Sequence, residues 1–173
     1  MQKLVLIVLS FIILSCAEKA QKEVSSMHPV NWNSRSITLS ASDSLVQGTT
    51  YLSVYSQIYS ETEHRTHNLT GTISMRNTNL RDSIYIHKAE YFDTHGSSIR
   101  TYFNKPIFME TVEIVIDEKD QSGGTGANFL FQWSIKPNTH EPYFEGVMIS
   151  TSGQQGLSFT TQGIRVEWSM SNF

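Results

Sequence analysis

Residues 127–136 read Ala-Asn-Phe-Leu-Phe-Gln-Trp-Ser-Ile-Lys, with Phe129, Phe131, Trp133 and Ile135 set against Gln132, Ser134 and Lys136. Successive side chains of an extended chain point to opposite faces, so this period of two predicts a strand with one aromatic face in a core and one polar face in water. The stretch before it reads alike: Val112, Ile114 and Ile116 share one face, and Thr111, Glu113 and Asp117 the other. From Thr49 onward Val, Ile, Thr, Tyr and Phe gather in short runs divided by Gly, Asn, Asp and Pro, and no run keeps a helical period. That is the pattern of an all-β domain.

Strands are predicted over 50–59, 69–77, 83–92, 98–103, 107–117, 127–136, 143–151 and 156–168, the last broken at Gly163. Asn77-Thr78-Asn79 and Asp93-Thr94-His95-Gly96 supply turn residues that tolerate left-handed backbone, and Lys105-Pro106 and Glu141-Pro142 each precede a strand start. Seven to eight short antiparallel strands in a chain of this size predict an immunoglobulin-like β-sandwich, with a small β-barrel as the alternative.

The composition agrees with one folded domain. Of 173 residues, 39% are hydrophobic and 17% charged, with ten Gly, four Pro and one Cys, which excludes disordered, collagen-like and disulfide-stapled chains. Thirteen Lys plus Arg stand against sixteen Asp plus Glu, a formal charge of −3, so there is no basic excess to neutralise phosphates and no nucleic-acid partner is expected.

The N-terminus carries an address. Lys3 is followed by an apolar run from Leu4 to Leu14, interrupted only by Ser10, and then by Ser15-Cys16. The run is too short for a membrane span, which takes about 20 residues, and reads as a signal peptide over 1–15. Ile13-Leu14-Ser15-Cys16 resembles the lipobox of bacterial lipoproteins. The resemblance implies that Cys16 takes a diacylglycerol on sulfur, that the peptide is cut after Ser15, and that the chain is lipid-anchored in the bacterial cell envelope. Ala17 in place of Asp points to the outer membrane, facing periplasm or surface. Residues 16–47, rich in Ser, Lys, Glu, Gln and Asn, are then a polar tether, and 48–173 the domain. Trp32, Ile37 and Leu39 are exceptions within the tether, suited to an edge strand or to a segment folded back over the domain.

Several stretches could carry chemistry. Asp117 to Asn128 holds Asp120 and three glycines, Gly123, Gly124 and Gly126. Such a loop can form an anion nest or gather carboxylates for Ca²⁺, but it lacks the Lys followed by Ser or Thr of a phosphate loop and the spacing of an EF-hand, so a wide hairpin needing positive φ is the preferred reading. The loop Ser150 to Gly156 presents Gln154 and Gln155, and its Ser152 lacks a nucleophile setting. Glu145 interrupts the apolar run Tyr143 to Ile149 and must face water, pair, or hold a raised pKa. Of six His only His64 and His67 are close, and three apart in an extended chain they point oppositely, so no metal or other cofactor is expected. Tyr51, Tyr55 and Tyr59 form a strip suited to core packing or to stacking on a sugar.

Ile73-Ser74-Met75-Arg76-Asn77-Thr78, Tyr91-Phe92-Asp93-Thr94-His95-Gly96, Gly123-Gly124-Thr125-Gly126-Ala127-Asn128-Phe129 and the run from Val147 to Phe159 occur in that order. Together they resemble a bacterial family known as domain of unknown function 3124, over roughly 48–166. The resemblance implies an exported or lipid-anchored bacterial domain and no catalytic residue. The expected function is a non-enzymatic, membrane-tethered module that binds an envelope protein or glycan, with Asp120, Gly123, Gly124, Gly126, Asn128, Glu145, Gln154 and Gln155 as candidate binding residues. Its rivals are a hydrolase or lyase using Glu145 with the glycine-containing loops, and a structural subunit that pairs through an edge strand.

Overall fold

A computed structural model describes residues 30–40, 43–62, 64–110, 113–118, 121–151 and 156–170. Its strands are β1 (Val46–Ser53), β2 (Gln57–Tyr59), β3 (Thr66–Asn68), β4 (Thr70–Arg76), β5 (Ile84–Phe92), β6 (Ser98–Phe103), β7 (Ile107–Met109), β8 (Glu113–Glu118), β9 (Asn128–Ile135), β10 (Tyr143–Ser150), β11 (Leu157–Gln162) and β12 (Ile164–Met170). A six-stranded sheet runs β12-β1-β9-β5-β6, with β7 also on β5; a four-stranded sheet runs β11-β10-β4-β8; β2 and β3 make a separate hairpin. All pairings are antiparallel, and the result is the sandwich the alternation predicts.

The aromatic face of β9 is the centre of that sandwich. Phe129, Phe131 and Trp133 are buried together with Leu52, Tyr91, Ile84 and Ile86 of the same sheet and Ile73, Met75, Phe144 and Met148 of the other. Ring centroids stand 4.8 Å apart for Tyr91 and Phe129, 5.4 Å for Phe129 and Phe131, and 4.3 Å for Phe131 and Phe144, so one continuous stack passes from sheet to sheet. Each such ring contributes on the order of 2 kcal/mol by leaving water, and each stacked contact about 1 kcal/mol more. Trp133 lies opposite Gly48 in the ladder, and its Nε1 donates to Thr50 Oγ1 at 2.8 Å, which satisfies the one polar atom the indole takes inside.

The structure has more strands than the seven to eight expected, because three runs are divided where the chain changes partner and because β3 lies outside every expected run. The 107–117 run becomes β7 on β5 in the larger sheet and β8 on β4 in the smaller. The 50–59 run ends β1 at Ser53; Val54 N then bonds Ala127 O, and β2 starts a hairpin of its own. The 156–168 run breaks at Gly163 as predicted: β11 belongs to the smaller sheet and β12 to the larger. Gly163 N donates to Phe144 O at 2.9 Å, and Thr161 Oγ1 to Ser53 O at 2.7 Å, so this corner stitches the sheets along one side.

On the opposite side residues 30–37, expected within the tether, fold back over the domain. Trp32 packs on Phe103 with ring centroids 4.7 Å apart, Ser36 bridges to Ile107, and Ile37 N donates to Pro106 O at 2.9 Å. Of the apolar residues that stood out from the polar composition, Trp32 packs through its side chain and Ile37 is held through its backbone, and the segment covers an edge that would otherwise present unpaired backbone. The turn expected at 77–79 is held by a buried amide pair. Asn77 Nδ2 donates to Asp82 O and Met109 O, Asn77 Oδ1 accepts from Asn79, and Asn79 exchanges bonds with the His140 backbone.

Candidate functional site

Glu145 takes the paired outcome. It lies on the outward face of β10, where Arg76 Nη2 bonds its Oε2 at 3.2 Å and Tyr143 Oη donates to its Oε1 at 3.3 Å. Asn128, at the start of β9, is on the outward face of the other sheet. Glu145 and Asn128 therefore face away from each other across the sandwich, and one pocket cannot hold both.

The glycine-rich stretch is a packed connection. A 3-10 turn spans Gln121–Gly126, including Gly123, and is interrupted at Gly124 with φ 71° and ψ −154°. Ser56 Oγ donates to Gly124 O at 3.1 Å, which ties the loop to the domain, and Gly126 N donates to Thr94 Oγ1 at 3.1 Å, which takes up an N–H that an anion nest would need. Cys16, Asp120, Gln154 and Gln155 lie outside the described residues. The tyrosine strip is dispersed: Tyr51 faces outward from β1, while Tyr55 packs edge-on against Phe159 of β11 at 5.8 Å. His67 Nε2 meets Ser60 Oγ at 3.0 Å within the β2–β3 hairpin, and among the described residues no three His, Cys, Asp or Glu gather as metal ligands.

A polar concavity sits on the outward face of the six-stranded sheet, and its origin is a break in period. By register Gln47, Ser134 and Tyr85 form one row across β1, β9 and β5; Thr49, Gln132 and Lys88 form the next; Tyr51, Leu130 and Glu90 the third. A register shift between Ile86 and Lys88 leaves His87 as an extra residue in β5. The alternation resets there, so that Ile86 and Ala89 are both buried while His87 and Lys88 both stay outward. A bulge of this kind re-aims a side chain. Here it brings His87 Nε2 to 2.7 Å from Ser134 Oγ.

A second shift, between Thr49 and Thr50 in the β1–β12 ladder, sets Glu167 beside Thr49, whose Oγ1 donates to Glu167 Oε2 at 3.4 Å. Between the two irregular ladders lies a depression of about 280 Å³ lined by Gln47, Thr49, His87, Gln132 and Glu167 over the backbone of Gly48 and Trp133. Burial pushes the His87 imidazole below its ordinary pKa, so it is neutral at neutral pH. Lys88 is already paired with Glu90, whose carboxyl is held low by Lys88 first and by the hydroxyls of Ser98 and Thr101 as well. The depression thus offers two amides, a hydroxyl, a neutral imidazole and one carboxylate. Ser134 is fully buried beneath His87, so its hydroxyl orients the ring and cannot attack a bound molecule.

Of the residues expected from sequence, Asn128 shares this face, at its far end; His87, Gln132 and Glu167 were not among them. The signal was the slipped phase in Ile84-x-Ile86-x-x-Ala89-x-Tyr91, which announces a bulge at His87 or Lys88.

Residues 47–166 match the family described as "Protein of unknown function (DUF3124)", and the chain belongs to that family. No curated protein and no solved structure matches the chain. The segment 30–37 that folds over the β7 edge lies outside the matched residues, whereas every residue of the depression except Glu167 lies within them.

Proposed function

We propose that this member of the family is a lipid-anchored binding module of the bacterial cell envelope, held to the membrane through Cys16 and taking its partner on the outward face of the six-stranded sheet. One observation carries the reading: an open, hydrogen-bonding depression sits where two ladders break register, and its only buried nucleophile is sealed beneath His87. Sites that recognise without reacting have this character, with several convergent polar groups and no activated attacking atom. The reading favours binding over hydrolysis also because Glu145, the sequence's best candidate acid, is engaged with Arg76 on the other sheet.

The anchor end of the reading rests on the lipobox. With residues 30–37 docked on the β7 edge, residues 17–29 remain between the lipid and the domain, a reach of about 45 Å at full extension. A second reading, pairing with a partner strand, is favoured by β12, which among the described residues pairs with β1 alone and exposes Ile164 and Val166.

The test is a crosslinking capture from intact envelopes of the parent bacterium with the full chain and with Gln132→Arg, a substitution at an exposed outward position. A partner retained by the wild type and lost by the variant supports the sheet face. A partner retained equally by both, and lost with Val166→Lys, moves the function to the β12 edge.

A further inference from the structure

Resting on the reading of the sheet face as a binding surface, we infer that the depression around His87 takes a neutral, polyhydroxylated ring, that is, a saccharide unit of an envelope glycan. An anion is disfavoured because Glu167 stands in the wall and the neighbouring ammonium, Lys88, is committed to Glu90. A metal ion lacks donors, since no group of three His, Cys, Asp or Glu gathers among the described residues. An apolar molecule would cover the amides of Gln47 and Gln132 and offer them no hydrogen bond, leaving buried polar groups unsatisfied.

A sugar ring meets each of these objections. Every hydroxyl both donates and accepts, and so do the amides of Gln47 and Gln132, while Thr49 Oγ1 can still accept beside its bond to Glu167, the His87 nitrogen not bonded to Ser134 offers one further bond, and the Glu167 carboxylate accepts from hydroxyls. The volume of about 280 Å³ suits one or two pyranose units, with the rest of a chain lying over the open sheet. An aromatic surface is close by: Tyr85 is in the row next to Gln132 on the same face, half-buried against Phe108 at 6.2 Å between ring centroids, and offers a platform for the apolar face of a second ring. Specificity would come from the polar set, because a site built to bond hydroxyls rejects a ligand that lacks them.

The experiment is a titration of the isotopically labelled full chain in detergent micelles, followed by backbone amide shifts. The probes are chitotriose, cellotriose and maltotriose in one arm, a mixture of neutral tripeptides in a second, and inorganic phosphate in a third. The inference expects at least one trisaccharide to shift the amides of residues 47–49, 87–88 and 132–134 saturably. Gln132→Ala and Thr49→Val should each weaken that binding about fivefold or more while the melting temperature of the chain is unchanged. If the peptides or phosphate shift those amides and no trisaccharide does, the ligand class is wrong and the binding face stands. If no probe shifts them, or if shifts saturate elsewhere and ignore both variants, the inference and the face fall together.

Discussion

His87 Nε2 and Ser134 Oγ stand 2.7 Å apart on neighbouring strands, and the contact exists only because β5 carries one residue more than β9 at that point. A single extra residue places a titratable ring on a sheet face, half removed from water, across the depression from Glu167 of β12 and in the same strand as the Lys88–Glu90 pair. Stability should record this. The ring is harder to protonate folded than unfolded, so below the unfolded value of 6.5 the unfolded chain binds the extra proton first. His87 therefore contributes nothing unfavourable above pH 6.5, and stability falls as the pH drops from 6.5 toward its lowered folded pKa. Glu90 acts at more acid pH: its stabilisation is complete above 4.5 and lost as pH falls through its own lowered value. Denaturant melts of wild type and His87→Gln between pH 7.5 and 5 should show a slope in the first and a flatter profile in the second. Identical profiles would mean that the ring is not desolvated by the fold.

Gly48 is the seat of Trp133. A Cβ at residue 48 would stand 2.3 Å from Cζ2 and 2.5 Å from Cη2 of the indole, a collision that a ring bonded to Thr50 cannot escape cheaply. Gly48→Ala should cost about 1–3 kcal/mol by overpacking, and Thr50→Val a similar amount by stranding the indole N–H. Chemical denaturation measures both, and a neutral Gly48→Ala would place the indole elsewhere.

The glycine-rich connection separates backbone need from ligand binding. Gly124 has φ +71°, where a β-branched residue is strained, so Gly124→Val should lose about 1 kcal/mol or more. Gly156→Ala is the control, because the nearest atom to its added Cβ is 3.8 Å away, and it should change stability by under about 0.5 kcal/mol. A thermal-shift series with Ca²⁺ and phosphate should leave the melting temperature of the wild type unmoved; a saturable rise abolished by Asp120→Asn would restore this loop as a site.

Much of this fold was legible because burial imposes a period. In β9 the aromatic positions named by alternation are all buried, two of them in the ring stack, and β6 occupies the residues 98–103 expected of it. What alternation does not contain is partner choice: residues 107–117 have a strand's pattern throughout, yet β7 and β8 join different sheets, a decision made by contacts far away in sequence. The site was obscured for a related reason. Polar residues on a sheet face look like ordinary solvated positions until register aligns Thr49, Gln132 and Glu167 from three strands. Glu145 stood out for its apolar neighbours, but the outward side of β10 had an arginine waiting on β4.

Anchoring has its own test. A hydroxyl cannot replace a thiolate as the lipid acceptor, so Cys16→Ser should accumulate unprocessed precursor and incorporate no labelled fatty acid. Metabolic labelling of the parent bacterium reads both, and label in the variant, or none in the wild type, removes the lipoprotein reading.

The outward face of the six-stranded sheet is tested most directly by site-specific photocrosslinking in living cells. A photoreactive residue placed at Gln132, on that face, is compared with one at Val147, on the outward face of β10 in the other sheet. The account predicts a discrete, light-dependent adduct from position 132 that is absent from position 147. Equal adducts from both positions, or an adduct from 147 alone, would contradict it.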